Sequence, residues 1–395
     1  MKTLIDDVII HYENYIHPNF PSKKVTYSDY EREIHAVKSF SFLEFKEIGR
    51  SIESRPIHSI KFGFGHRKIL IWTQMHGNEA SGTRALFDVF NALSDNKDLK
   101  NLLSTELQIL FVPILNPDGA ERYQRRNALD IDPNRDAKKQ ESPEIQALFR
   151  VIEDFQPDWC FNMHDQRNLF NVYGTDCPAT ISFLSPATSS NEILTDQQKE
   201  AMQLIDCISS NLTSKKDIGI ARFSHEFYPT ATGDNIQAMG HRTVLIESGG
   251  YRNDPDRLVA RKLVFEALFR SFFFIAKDQW KSGSVKNYLE IPMNDTKLFD
   301  LLIRNVQLTP NSVIRADIGI EITESYDKSL SQILYKSTVK DIGDLSSYSG
   351  YSEVDGSNGH ITKQVGLNQK ADFDIIFEKT ATKISTIFVR NGYKQ

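Results

Sequence analysis

The sequence predicts an α/β fold, a β-sheet flanked by helices, followed by a smaller all-β, sandwich-like domain. Three observations predict it. Continuous apolar runs at residues 68–75 (KILIWTQM) and 107–115 (LQILFVPIL) have the length and branched composition of strands covered on both faces. The first is followed by helical apolar spacing at Ala80, Leu86, Phe87, Phe90 and Leu93. After Ser282-Gly283-Ser284 the pattern changes to alternation and turn residues, with runs at 313–322, 373–377 and 386–390 and no helical period.

At 395 residues the chain exceeds the usual single core. The expected division is a helical segment over 1–40, a catalytic-type domain over 41–280 and a β-rich accessory domain over 285–395. Composition is that of a soluble protein, with 40% hydrophobic and 25% charged residues, and the net charge of -5 gives no electrostatic reason to expect nucleic acid. The three cysteines, Cys160, Cys177 and Cys207, have no metal-type spacing and an odd number that argues against a disulfide framework. The opening MKTLIDDVIIHYENYI places Asp6, Asp7 and Glu13 where a signal peptide needs an uninterrupted apolar core, so it reads as a helix of a cytoplasmic protein. No run reaches the roughly 18 apolar residues of a membrane-spanning helix.

In chain order, residues 1–40 look helical and polar, placed to cover the sheet or part of a cleft. Residues 42–50 and 57–64 alternate as paired strands around a turn at 51–56. Residues 68–75 form the central strand, and the 107–115 strand ends in the turn Asn116-Pro117-Asp118-Gly119. The stretch 121–136 (ERYQRRNALDIDPNRD) holds four arginines and almost no periodicity. A helix over 142–155 starts from Ser142 with Pro143 in first position. The strand 158–163 delivers His164. Residues 167–195 read as a long loop, 196–212 as a helix, 222–227 as a strand, 228–241 as irregular, 243–246 as a strand delivering Glu247, and 255–276 as the last helix.

Gln74-Met75-His76-Gly77-Asn78-Glu79 sets an imidazole and a carboxylate three residues apart at a strand-to-helix junction, the edge where open α/β sheets bind ligands. Such a pair alone is common by chance. Here separate strand ends also deliver the arginine-rich loop, His164 and Glu247. His76, Glu79 and His164 make the two-histidine, one-glutamate set of catalytic zinc sites, which leave a position for water. Glu247 is then a spare carboxylate able to take a proton from that water.

These pieces resemble the zinc carboxypeptidase family. The resemblance runs from about residue 44 to 276 and rests on MHGNE (His76, Glu79), NPDG (Asn116 to Gly119), DPNR (Asp132 to Arg135), NMH (His164), Tyr228 followed by Gly233, and IES (Glu247). It implies a mixed sheet between helices, one zinc ion per chain, and peptide substrates with a free C-terminal carboxylate. It implies that Asp132 orients His76, that Asn134 and Arg135 hold the substrate carboxylate, that Arg125 stabilises the oxyanion with adjacent Arg126 as the alternative, and that Tyr228 closes over the substrate. Pro133 departs from the aliphatic residue usual at that place. The specificity position falls within Asp234-Asn235-Ile236: Asp234 in the pocket would favour basic C-terminal residues, Ile236 apolar ones. The other enzymatic expectation is an N-acyl-amino-acid deacylase of the aspartoacylase or succinylglutamate desuccinylase type, and the non-enzymatic one a zinc-binding module without turnover.

Overall fold

The computed structural model describes residues 1–191, 193–212, 218–309, 313–327, 329–330, 332–379, 383–390 and 393–394. Parts of the expected 285–395 domain and one residue of the 167–195 loop lie outside the described residues. In chain order the elements are α1 (Lys2–Ile10), α2 (Tyr27–Lys38), β1 (Leu43–Arg50), β2 (Pro56–Phe62), β3 (Arg67–Trp72), α3 (Ser81–Asp95), α4 (Lys97–Glu106), β4 (Leu107–Val112), α5 (Pro117–Glu121), α6 (Pro143–Phe155), β5 (Trp159–Asp165), β6 (Asn171–Val172), β7 (Ala179–Leu184), α7 (Asp196–Ser209), β8 (Gly219–Arg222), α8 (Thr232–Ala238), β9 (Arg242–Ser248), α9 (Leu258–Ala276) and α10 (Val285–Glu290). Strands β10 (Asn294–Asp295), β11 (Leu298–Gln307), β12 (Arg315–Asp327), β13 (Gln332–Gly343), β14 (Ser349–Asp355), β15 (Gly359–Ile361), β16 (Phe373–Lys379), β17 (Lys383–Arg390) and β18 (Tyr393–Lys394) follow.

The chain divides into two compact units, Met1–Gln166 with Ala179–Asn294, and Arg167–Pro178 with Asp295–Gln395. The stretch through α10 thus groups with the first unit, although the sequence pattern changes at 283. The reason is local: Tyr288 is fully buried and its hydroxyl accepts from Ser185 N at 3.2 Å, while Arg222 donates to the carbonyls of Leu289 and Ile291 at 3.0 Å each.

The sheet of the first unit runs β1-β2-β4-β3-β5-β9-β7-β8. Its centre is parallel (β4, β3, β5, β9), and β1, β2 and β7 bring antiparallel neighbours, so the sheet is mixed as expected. Ile69 to Trp72 are wholly buried, which is why this strand reads as an unbroken apolar run. One face packs against α3 and α9 through Phe87, Phe90, Phe265 and Phe269; Leu70, Trp72 and Cys160 of the other face pack with Ile145, Leu148 and Ile152 of α6. The N-terminal segment is part of the first of these cores: Ile5, Val8, Tyr12, Phe20, Tyr30 and Ile34 are all buried in it. Among the described residues no helix is long and apolar enough to cross a membrane.

Several elements differ from the sequence reading. The 167–195 stretch holds β6 and β7, and β7 (ATISFL) pairs with β9; six residues between Pro178 and Pro186 offered too short an apolar run to stand out. The strand expected at 222–227 is β8, ending at Arg222, and the segment after Tyr228 contains α8. A short helix, α10, occurs after residue 284, where none was expected.

In the second unit the strands run β13-β12-β11-β15-β16-β17-β18, with β14 also pairing with β11. A bridge between Thr338 and Lys370 returns the chain before β16 to β13, so the sheet folds over a core of Ile303, Ile318, Val339, Val354 and Ile375. This is the smaller β domain expected.

Candidate active site

The carboxyl ends of β3, β4, β5 and β9 lie side by side, and the site is built on them. His164 is the next-to-last residue of β5, and its register partner on β9 is Glu247, so parallel pairing alone sets the two side by side. His76 and Glu79 occupy the turn from β3 to α3, closed by a Glu79 N to His76 O bond of 3.1 Å. Glu79 projects between the histidines: His76 Nδ1 lies 2.8 Å from Oε1 and His164 Nδ1 2.8 Å from Oε2. Ligand atoms of all three lie within 4.8 Å of one another, and all three residues are buried.

That donor set fits a zinc ion. The far nitrogen of His76, Nε2, is 3.1 Å from Asp132 Oδ1, and an Nε2–H donated there leaves the Nδ1 lone pair facing the cluster. Burial alone would raise Glu79's carboxyl, but the His76 charge and the hydrogen bonds of both histidines hold it well below the usual carboxylate range. Burial likewise opposes Asp132, and the hydrogen bond and charge of His76 with Arg125 still hold it down. Burial keeps His164 below the ordinary histidine value against the pull of Glu79, which favours the neutral ring a metal ligand must present. Two fixed carboxylates and two imidazoles in a buried cradle have the chemistry to hold a cation. Glu247 has the opposite setting: burial, then the Glu79 and Asp165 carboxylates, push its carboxyl well above the usual range.

The arginine-rich loop is tied down by side chains. Asn116 donates to Met75 O at 3.2 Å, Asn127 accepts from Leu129 N and Ile131 N at 3.0 Å each, and Asp136 accepts from Ser142 N at 2.7 Å. Arg125 is thereby aimed at the cluster. Its Nε donates to Asp132 Oδ2 at 3.0 Å and its Nη1 to Glu79 Oε1 at 3.2 Å. Arg126 turns the other way and donates to Asp130 O at 2.7 Å, so the structure brings Arg125 and not Arg126 to the histidines. Pro133 opens a one-turn 3-10 helix, Pro133–Arg135, capped by the Asp132 side chain; its fixed φ suits that first position, so this departure from the family pattern leaves the turn intact.

Asn134 and Arg135 meet Tyr228 and α8. Asn134 Oδ1 accepts from Thr232 N at 3.0 Å, and the Arg135 guanidinium lies 4.3 Å from the Tyr228 ring centroid. Arg135 is exposed and donates to the neighbouring Asn134 O at 2.7 Å, with the rest of its guanidinium fork presented for an anion. Tyr228 is 51% exposed. At the specificity stretch, Ile236 is wholly buried in the core with Trp72 and Met75, which removes it from any substrate pocket. Asp234 accepts from Tyr228 N at 3.0 Å and stays buried.

Residues 33–210 match the sequence model of the zinc carboxypeptidase family. That segment, a little under half of the chain, is what ties it by sequence to zinc carboxypeptidases. It is 26% identical over 179 residues to a probable carboxypeptidase 2 of Trichophyton verrucosum (strain HKI 0517), covering 45% of this chain and 30% of the relative. It is 27% identical over 208 residues to carboxypeptidase 2 of Trichophyton tonsurans, covering 52% and 33%. The matches thus span about a third of the length of these curated relatives. In fold it is similar to a metallo-carboxypeptidase from Burkholderia cenocepacia, TM-score 0.53 at 18% identity over 65% of this chain and 70% of that one. A metallo-carboxypeptidase from Pseudomonas aeruginosa gives 0.52 at 16% identity, over 65% and 70%.

The site's surroundings also use residues that sequence reading passes over. Asp165, next to His164, accepts from Ser81 N and Oγ at 3.2 and 2.9 Å and lies 3.9 Å from Arg257, whose guanidinium holds Ser248 O and Gln166 O at 2.8 and 2.7 Å. Spacing carried no sign of Arg257, because its role is to staple two strand ends that are distant in sequence.

Asp234 yields a pH prediction. Burial pushes its carboxyl up to about 6, against the Tyr228 N–H and the Arg135 charge. A folded-state value above the unfolded one means that the folded chain binds more protons across that interval, so this group's contribution falls as pH rises from about 4 to about 6. Asp234→Asn should gain on native protein by on the order of 2 kcal/mol between pH 4 and pH 8. Urea unfolding at the two pH values measures it; a native-to-variant difference that stays constant with pH would remove Asp234 as the source.

Proposed function

We propose that the chain is a zinc-dependent metallocarboxypeptidase that hydrolyses the C-terminal peptide bond of peptides. The observation that carries the reading is the convergence of His76, Glu79 and His164 with Glu247 in register beside His164. The two histidines and Glu79 would hold one zinc ion, which supplies Lewis-acid polarisation of a carbonyl and lowers the pKa of water. Asp132 keeps the His76 ring turned so that Nδ1 faces the ion. Glu247 accepts the proton of the attacking water at its carboxylate and gives it to the leaving amine nitrogen. Arg125 offers N–H donors to the developing oxyanion. Arg135 and Asn134 receive the terminal carboxylate, and Tyr228, stacked beside Arg135, covers it from solvent. Asp234 is an acidic group at this corner through its bond to Tyr228 N, which favours C-terminal residues carrying a hydrogen-bond donor or positive charge over apolar ones.

Matched peptides with free and amidated C-termini test the assignment. An exposed guanidinium fork gains most from an anion it can grip twice, so the free acid should be cleaved at least tenfold more efficiently. Arg135→Ala should lower kcat/KM on the free acid and narrow that gap. Equal native rates on both peptides would refute exopeptidase action, and faster hydrolysis of N-acetyl amino acids than of blocked dipeptides would favour the deacylase.

A further inference from the structure

Gln74 sits two residues before His76, wholly buried, with φ at 44°, a left-handed conformation that a non-glycine residue holds only when its surroundings fix it. The surroundings do so completely. Its amide Nε2 donates to Gly77 O at 2.8 Å and to Val25 O at 2.9 Å, and its Oε1 accepts from Thr83 Oγ1 at 2.7 Å. Its own carbonyl accepts from Asn116 N at 3.1 Å. One residue therefore joins four parts of the chain: the N-terminal segment at Val25, the His76 turn at Gly77, the first turn of α3 at Thr83, and, through its backbone, the NPDG turn.

Both ends of this joint are firm. The N-terminal segment is locked by a buried cluster: Arg261 pairs with Asp88 and donates to Phe20 O at 2.8 Å, Asp88 accepts from His17 N at 2.8 Å and Tyr12 OH at 3.1 Å, and Arg84 donates to Phe20 O and Pro21 O at 3.3 Å each. On the other side, Gly77 lies against the NPDG turn so closely that a Cβ there would stand 1.9 Å from Gly119 C. Gly77 O is thus held from one side by Gln74 while its Cα is packed against Gly119 on the other. The turn between them carries His76 and Glu79.

We propose that Gln74 is a positioning residue for the metal cradle: it transfers the anchorage of residues 12–25 to the His76–Glu79 turn and fixes where His76 Nδ1 points. Residues 1–40 then serve the site as a brace beneath the turn. The inference rests on the zinc reading above only for its second readout.

Three variants separate the parts. Gln74→Met keeps the volume and loses both hydrogen-bonding ends; Gln74→Gly also removes the left-handed strain; Thr83→Val removes the hydroxyl that fixes Oε1. Hydrogen exchange on the metal-free proteins should show the Gly77–Glu79 amides opening at least tenfold faster in Gln74→Met and Gln74→Gly than in native protein, with β3 and β5 unchanged. Zinc dissociation constants from chelator competition should rise ten- to a hundredfold in both, and less in Thr83→Val. Leu103→Ala, a core truncation in α4, serves as the matched control for lost stability. Native-like exchange and zinc affinity in Gln74→Met overturns the proposal, as does equal loosening of the turn in Leu103→Ala. If native protein takes up no zinc, the function reading fails, and the exchange data still decide the role of Gln74.

Discussion

Glu247→Gln is expected to keep native zinc content and peptide affinity and to lose on the order of 100- to 10,000-fold in kcat, the range of a positioned general base. The amide has the shape of the carboxylate and cannot take a proton. The native carboxylate is placed by β-pairing, opposite His164 in register, so the substitution leaves its position unchanged. Its surroundings make the test sensitive: burial first, then the Glu79 and Asp165 carboxylates, disfavour a negative charge here, so the neutral amide should leave the fold as stable or more stable. Loss of kcat with unchanged Tm and zinc content is the expected pattern. Near-native turnover would mean that another group activates the water.

What could be read from the sequence was what depends on short spacing and on strand composition. The four central strands are visible because burial on both faces demands unbroken apolar runs, and their carboxyl ends share one edge. Spacing at those strand ends is enough to group His76, Glu79, His164 and Glu247, which the fold brings together. The N-terminal segment looked polar and peripheral because its buried residues, Ile5, Val8, Tyr12 and Phe20, are spread among charged ones; their burial depends on α3 and α9, far off in sequence. β7 was hidden between two prolines. Adjacent Arg125 and Arg126 could not be told apart by spacing, since their separation depends on loop hydrogen bonds made by Asn116, Asn127 and Asp136. The register of Asp234 to Ile236 likewise needed α8, whose inward face takes Ile236 into the core and leaves Asp234 for the Tyr228 amide.

His76→Ala and His164→Ala should each abolish stoichiometric zinc, and with it measurable peptidase activity. The two should differ in what else they disturb. Removing the His76 ring also takes away the partner of Asp132 Oδ1, 3.1 Å away, and leaves a buried carboxylate with Arg125 and the Asn134 amide. Asp132 also caps the turn that presents Asn134 and Arg135, so His76→Ala should loosen carboxylate binding as well as zinc. Removing His164 leaves that turn alone, and its carboxylate partner Glu79 keeps His76, Arg125 and the Asp165 amide. Metal analysis should therefore read near zero for both, whereas binding of a C-terminal product amino acid, followed by calorimetry, should weaken more in His76→Ala. Full zinc occupancy in either protein would remove that histidine from the ligand set, and equal product affinity in the two would separate Asp132 from the carboxylate-binding turn.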